Sequence, residues 1–71
     1  MTHDQLDFVT YCIGNVAEFL HLDQQTVYRM LKTSGILTEY IIPGYDVLHT
    51  FSGQYITTEI VDYMREKGVI K

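Results

Sequence analysis

Apolar residues recur at helical spacing over three stretches of the chain and lose that rhythm between the second and third. From about Gln5 to Leu20, the residues Leu6, Val9, Ile13, Val16 and Leu20 fall at three- and four-residue steps, and Phe8, Cys12 and Ala17 widen the stripe. Such spacing puts one apolar face on an amphipathic helix. Asp4 stands where an N-cap is expected, and Asp7 suits the positive end of the helix dipole. Gly14 costs about 1 kcal/mol relative to alanine in a helix interior, so a neighbouring backbone is expected to pack closely against it.

Asp23 then caps a second helix, roughly Gln24 to Thr33, with Val27, Met30 and Leu31 inward and Tyr28 at the margin. Gly35 ends it as left-handed C-terminal glycines do. The link between the two helices is so short that they form a helix-turn-helix or an αα-hairpin. Past Gly35 two readings stay open. Ile36, Leu37, Tyr40, Ile41 and Ile42 suit a short helix ended by Pro43-Gly44, or an extended piece, because Ile42 precedes a proline and is expected to avoid the α region. Tyr45 to Thr50 suits a helical turn or, by the alternation across Val47-Leu48-His49, a strand. Ser52-Gly53 reads as a turn and Gln54 to Thr57 as a candidate strand. Thr57 or Thr58 then caps a last helix that turns Ile60, Val61 and Met64 inward and runs to Lys67, before Gly68. The expected fold is mainly α: one small domain over residues 1–71 with a helix-turn-helix-like pair and a C-terminal helix. A short β-hairpin in residues 40–57 would turn it into a winged helix-turn-helix.

Composition narrows the class. A chain of 71 residues buries only about 60% of the surface it exposes when unfolded, so its stability margin is thin. Its 46% apolar content and nine aromatics (six Tyr, three Phe) supply what a core needs. Self-association would bury more, which makes a homodimer an expectation. The single cysteine, Cys12, excludes an internal disulfide and sits on the apolar stripe, where a small buried hydrophobe is expected rather than a nucleophile. The opening Met1-Thr2-His3-Asp4 lacks the basic start of a secretory signal, and no apolar run approaches the ~20 residues that cross a bilayer. A cytoplasmic protein with no membrane partner is therefore expected.

Nine acidic residues against five basic ones give a net charge of −4, which opposes non-specific binding to phosphate backbones. Residues 1–20 carry Asp4, Asp7 and Glu18 with no Lys or Arg, whereas residues 21–35 carry Arg29 and Lys32 against Asp23 alone. The locally positive stretch coincides with the second helix.

The run from Asn15 through Val16-Ala17-Glu18-Phe19-Leu20 and Thr26-Val27-Tyr28-Arg29 to Met30-Leu31 resembles the helix-turn-helix of excisionase-type DNA-binding proteins. It departs from them at His21-Leu22, where that family has a small residue, and lacks their basic wing. A second resemblance spans Leu6 to Val69. Its centre is Tyr45-Asp46-Val47-Leu48-His49-Thr50, flanked by Phe8-Val9-x-Tyr11-Cys12-Ile13, Val27-Tyr28, Leu31-Lys32, Gly35, Tyr40 and Tyr55-Ile56. These features resemble a family of small bacterial proteins, a domain of unknown function, built around a Tyr-Asp-x-Leu-His-Thr motif. That resemblance implies an antitoxin-like or accessory role beside an ADP-ribosyltransferase-like protein.

In the motif, Asp46 could orient the His49 imidazole while Tyr45 or Thr50 meets a ligand. Equally, a local hydrogen bond could simply fix a turn beside Pro43-Gly44. His3, His21 and His49 lack metal-ligand spacing, and no glycine-rich phosphate loop is present, so no metal or cofactor is expected. No nucleophile with an orienting partner assembles from spacing, so no enzyme is expected. The expected function is a protein-interaction module using Tyr40, Tyr45, Asp46, His49, Thr50 and Tyr55 with the acidic first helix. Its alternative is a dimeric DNA-binding regulator using Gln24, Gln25, Arg29 and Lys32 on the second helix.

Overall fold

A computed structural model describes all 71 residues. Helix α1 spans His3–Leu20, α2 Gln24–Thr33, a π-helical turn Leu37–Ile41, α3 Tyr45–Leu48 and α4 Gly53–Glu66. No strand is present. Helix α1 packs against both α2 and α4, and α2 also touches the π turn.

The caps explain the boundaries. Thr2, not Asp4, begins α1: its hydroxyl accepts from the Gln5 N–H at 3.1 Å, while Gln5 Oε1 accepts from the Thr2 N–H at 2.9 Å. This reciprocal box satisfies two orphan donors, and Asp4 falls into the first turn, where its charge suits the dipole. α1 ends at His21 in the left-handed conformation, φ 57°, with the Leu22 N–H bonded back to the Ala17 carbonyl at 3.0 Å. Asp23 stands at the N-cap position of α2 with extended backbone, its carboxylate accepting from the Thr26 hydroxyl rather than from a helix N–H. Gly35 follows the helix end at φ 85°.

The β-hairpin wing weighed for residues 40–57 is absent, and the reason is local. N–H groups along the middle find carbonyls a few residues back: Ile42 to Leu37 at 3.0 Å, Gly44 to Tyr40 at 3.0 Å, Leu48 to Gly44 at 2.8 Å. Leu37, Ile41 and Leu48 are buried, a helical rather than an alternating spacing. Ile42 adopts φ −66°, ψ −53° despite preceding Pro43. The wider π turn ends there, and Pro43 has no N–H to contribute to a further turn. Gln54 to Thr57 is likewise the first turn of α4 rather than a strand, because Ser52 Oγ accepts from the Tyr55 N–H at 3.2 Å and fixes the start. The threonines expected as caps lie inside that helix, with Thr57 donating to the Gly53 carbonyl at 2.6 Å and Thr58 to that of Gln54 at 3.0 Å.

Sixteen buried residues form one core, and all are apolar. Phe8, Val9, Cys12, Ile13, Val16 and Ala17 come from α1, Val27 and Leu31 from α2, and Ile56, Ile60, Val61 and Met64 from α4. Leu6, expected inward, is 49% exposed. Gly14 is not the close-packed position expected, since a Cβ there would meet only the Gln24 side chain at 3.9 Å. Gly44 is the glycine pressed against backbone, where a Cβ would lie 2.6 Å from the Tyr40 carbonyl oxygen and 3.0 Å from Leu48 Cδ1. At the far end, Lys67 Nζ donates to the Ser34 carbonyl at 2.9 Å and pairs with Glu39 at 3.6 Å, tying α4 to the end of α2.

Candidate functional site

The four residues of α3 are too few to hold themselves, so their position is set by what they anchor. Leu48 enters the core, and Gly44 allows the chain to turn tightly against Tyr40 and Leu48. With Leu48 inward, Tyr45 faces α1, where its ring meets Phe8 edge-on at 5.4 Å and 72°. One turn later His49 stacks on Tyr45 at 4.5 Å and 14°. The His49 Nδ1 lies 2.6 Å from the Tyr45 carbonyl oxygen. A carbonyl only accepts, so Nδ1 carries the proton and Nε2 is left as the acceptor of the neutral ring.

Of the two readings of the motif, Asp46 orienting His49 does not hold, because the backbone carbonyl of Tyr45 fills that role and Asp46 is exposed. Thr50 donates its hydroxyl to the Val47 carbonyl at 2.6 Å, so it too closes the turn. The motif therefore works largely as a structural corner, and its Tyr45 and His49 rings are what it offers outward.

Those rings line a groove of about 460 Å³ with Phe8, Tyr11, Phe51 and Ile56, and with Asp4 and Asp7 from the first turns of α1. Aromatic rings and two exposed carboxylates line it together, with Phe8 and Ile56 buried beneath, and no Lys or Arg lines it. His3 Nδ1 stands 3.4 Å from Asp7 Oδ2. His3, Asp4 and Asp7 bring their ligand atoms within 4.8 Å of one another, but all three are exposed residues of one helix end.

The expected tyrosines divide. Tyr55 is 49% exposed and continues the groove wall through Phe51, whose ring lies 4.9 Å away. Tyr40 lies apart, edge-on to Tyr63 at 5.2 Å, in a small cleft with Glu59, Asp62 and Glu66. Burial, then the charge of Glu59, pushes the Tyr40 phenol up, and Glu59 does the same to Tyr55. Sequence reasoning missed Phe51 and Tyr11 as groove walls. The four-residue step from Phe51 to Tyr55 was the available signal, hidden because that stretch reads equally as a strand.

On α2, Gln24, Gln25, Arg29 and Lys32 are all exposed. Lys32 lies over the Tyr28 ring at 5.8 Å. A second, more polar groove of about 770 Å³ runs between α1 and α4, lined by Tyr11, Asn15, Glu18, Phe19, His21 and the start of α4. There the Tyr11 hydroxyl lies over Gly53, and the buried Asn15 Nδ2 has no hydrogen-bond partner. Cys12 is 1% exposed, and burial pushes its thiol up to about 12, which keeps it protonated and unreactive. No helix is long and apolar enough to cross a membrane.

No curated protein and no solved structure matches the chain. Residues 7–67, which hold the groove from Asp7 to Ile56, match the family described as "Protein of unknown function (DUF3791)", and the chain belongs to that family.

Proposed function

We propose that the chain is a small, non-enzymatic protein-interaction module that docks a partner on the groove between α1, α3 and the start of α4. One observation carries this reading: exposed aromatic rings and acidic side chains without Lys or Arg partners meet in a single groove. Aromatic anchors are what interface cores are enriched in, and a surrounding rim of charge adds selectivity. The local hydrogen bonds of His49 and Thr50, and the buried thiol of Cys12, favour binding over chemistry. In the cell it acts as an accessory or antitoxin-like subunit, and the resemblance described above makes an ADP-ribosyltransferase-like protein the first partner to try.

The test is capture of that partner by Phe51→Ala with Tyr55→Ala. Both rings are exposed, so the variant keeps its helical circular dichroism. Tyr45→Ala would be ambiguous because that ring also supports Phe8. Losing two anchor rings weakens binding at least about tenfold; a folded double variant that binds as well as the parent removes this surface from consideration.

A second reading, a helix-turn-helix DNA-binding regulator acting as a dimer, is favoured by the helix pair joined through left-handed His21 and by the exposed Gln24, Gln25, Arg29 and Lys32. Two cations per copy make a small footprint beside the six to ten phosphate contacts of a strongly salt-dependent site. Capture that disappears on nuclease treatment would favour this reading instead.

A further inference from the structure

Resting on the docking-module reading, we propose that the groove between α1 and α3 is an arginine-recognition pocket that receives a guanidinium side chain from the partner. The stacked Tyr45 and His49 rings, 4.5 Å apart at 14°, join Phe8, Tyr11 and Phe51 to supply flat π faces. Asp4 and Asp7 supply negative charge at the mouth. His49, its Nδ1 committed to the Tyr45 carbonyl, supplies a neutral acceptor at Nε2. The carboxylates, the His49 Nε2 and the ring faces are thus acceptors or π surfaces, and no Lys or Arg of the same chain lines the groove. Arg65 pairs with Asp62, Lys67 with Glu39, Lys32 lies over Tyr28, and neither Arg29 nor Lys71 lines the groove.

The ligand class follows from that inventory. A guanidinium is planar, carries five donors in a fixed fork, stacks on aromatic faces and is more weakly hydrated than an ammonium. A lysine could meet the carboxylates but would leave the π faces less well used. A carboxylate or phosphate would be repelled by Asp4 and Asp7. A metal ion held by His3, Asp4 and Asp7 would leave the aromatic rings without a role.

The probe is a capped tripeptide, acetyl-Gly-Arg-Gly-amide, titrated at low ionic strength into the isotope-labelled chain and followed by amide chemical shifts. The comparison probe replaces arginine with citrulline, which keeps the planar shape and loses the charge. The arginine peptide should shift the amides of Asp4, Asp7, Tyr45, His49 and Phe51 saturably. It should bind about tenfold more tightly than the citrulline peptide, as charge-assisted hydrogen bonds would give. Asp4→Asn with Asp7→Asn, checked for retained helicity, should erase that preference. Absence of saturable shifts, equal affinity for the two peptides, or a preference that survives the double variant overturns the proposal. The two readings fail separately. A captured partner whose affinity is unchanged by Asp4→Asn with Asp7→Asn leaves the module standing and removes the arginine pocket. Saturation by the peptide, where Phe51→Ala with Tyr55→Ala leaves capture intact, keeps the pocket and removes the docking face.

Discussion

Gly14 and Gly44 each interrupt an apolar stretch, but the structure gives them opposite consequences. At Gly14 an added Cβ meets only the end of a glutamine side chain at ordinary contact distance, and the residue lies inside an 18-residue helix. Alanine there loses less backbone entropy on folding, so Gly14→Ala should stabilise the protein by about 0.5–1 kcal/mol. In a domain of this size that raises the thermal midpoint by roughly 4 °C. At Gly44 the same methyl meets a backbone carbonyl that has no freedom to step aside. Gly44→Ala should therefore destabilise by about 1–3 kcal/mol, the usual cost of overpacking. Thermal unfolding of the two variants beside the parent checks both signs at once, and a stabilised Gly44→Ala would mean that the α3 corner can shift away from Tyr40.

For the helices, the caps carry the testable chemistry. Asp23 accepts a hydrogen bond from the Thr26 hydroxyl, which holds its carboxyl below the ordinary value of 3.8. The folded state thus binds its proton less readily than the unfolded state does. The stability this residue contributes is present above 3.8 and is lost as the pH falls through the lower folded value. Asn caps helices as well as Asp but does not titrate. Asp23→Asn, which lacks the charged form's advantage, should accordingly start slightly below the parent near neutrality and lose less of its thermal midpoint below pH 3.8. Equal acid sensitivity in the two proteins would show that the Thr26 bond does not outlast solvent exposure.

The same caps account for what was legible in advance. α1, α2 and α4 each repeat their apolar spacing over ten or more residues, and α2 has a polar cap and a left-handed glycine around it. The middle was ambiguous because a five-residue π turn and a four-residue helix are too short to display a period. The start of α4 was misplaced because Thr57 and Thr58 look like caps, while Ser52 does the capping. The groove was only partly legible, since its walls come from α1, α3 and the entrance to α4, whose juxtaposition depends on Leu48 entering the core.

At the scale of the whole molecule, the question is whether the fold is finished without a partner. The accessible surface is 4561 Å² for an 8.3 kDa chain. A compact monomer of that mass exposes about 4,600 Å² by the usual size scaling, so the lone chain already reaches the surface of a closed globule. Its sixteen core residues are all apolar, and the one buried side-chain donor without a partner, Asn15 Nδ2, lies at the groove between α1 and α4 rather than in the core. What stays outside is a set of large apolar side chains, among them Tyr11, Phe51 and Tyr55 around the aromatic groove. Pairing of two copies, or binding of another protein, is then a docking event on a completed fold rather than a condition of folding. For a chain that stays single, the thermal midpoint should be unchanged on hundredfold dilution, because association of folded copies would shift it by mass action. A midpoint that rises with concentration would instead assign the exposed aromatic face to self-association, and Phe51→Ala with Tyr55→Ala should then abolish the rise.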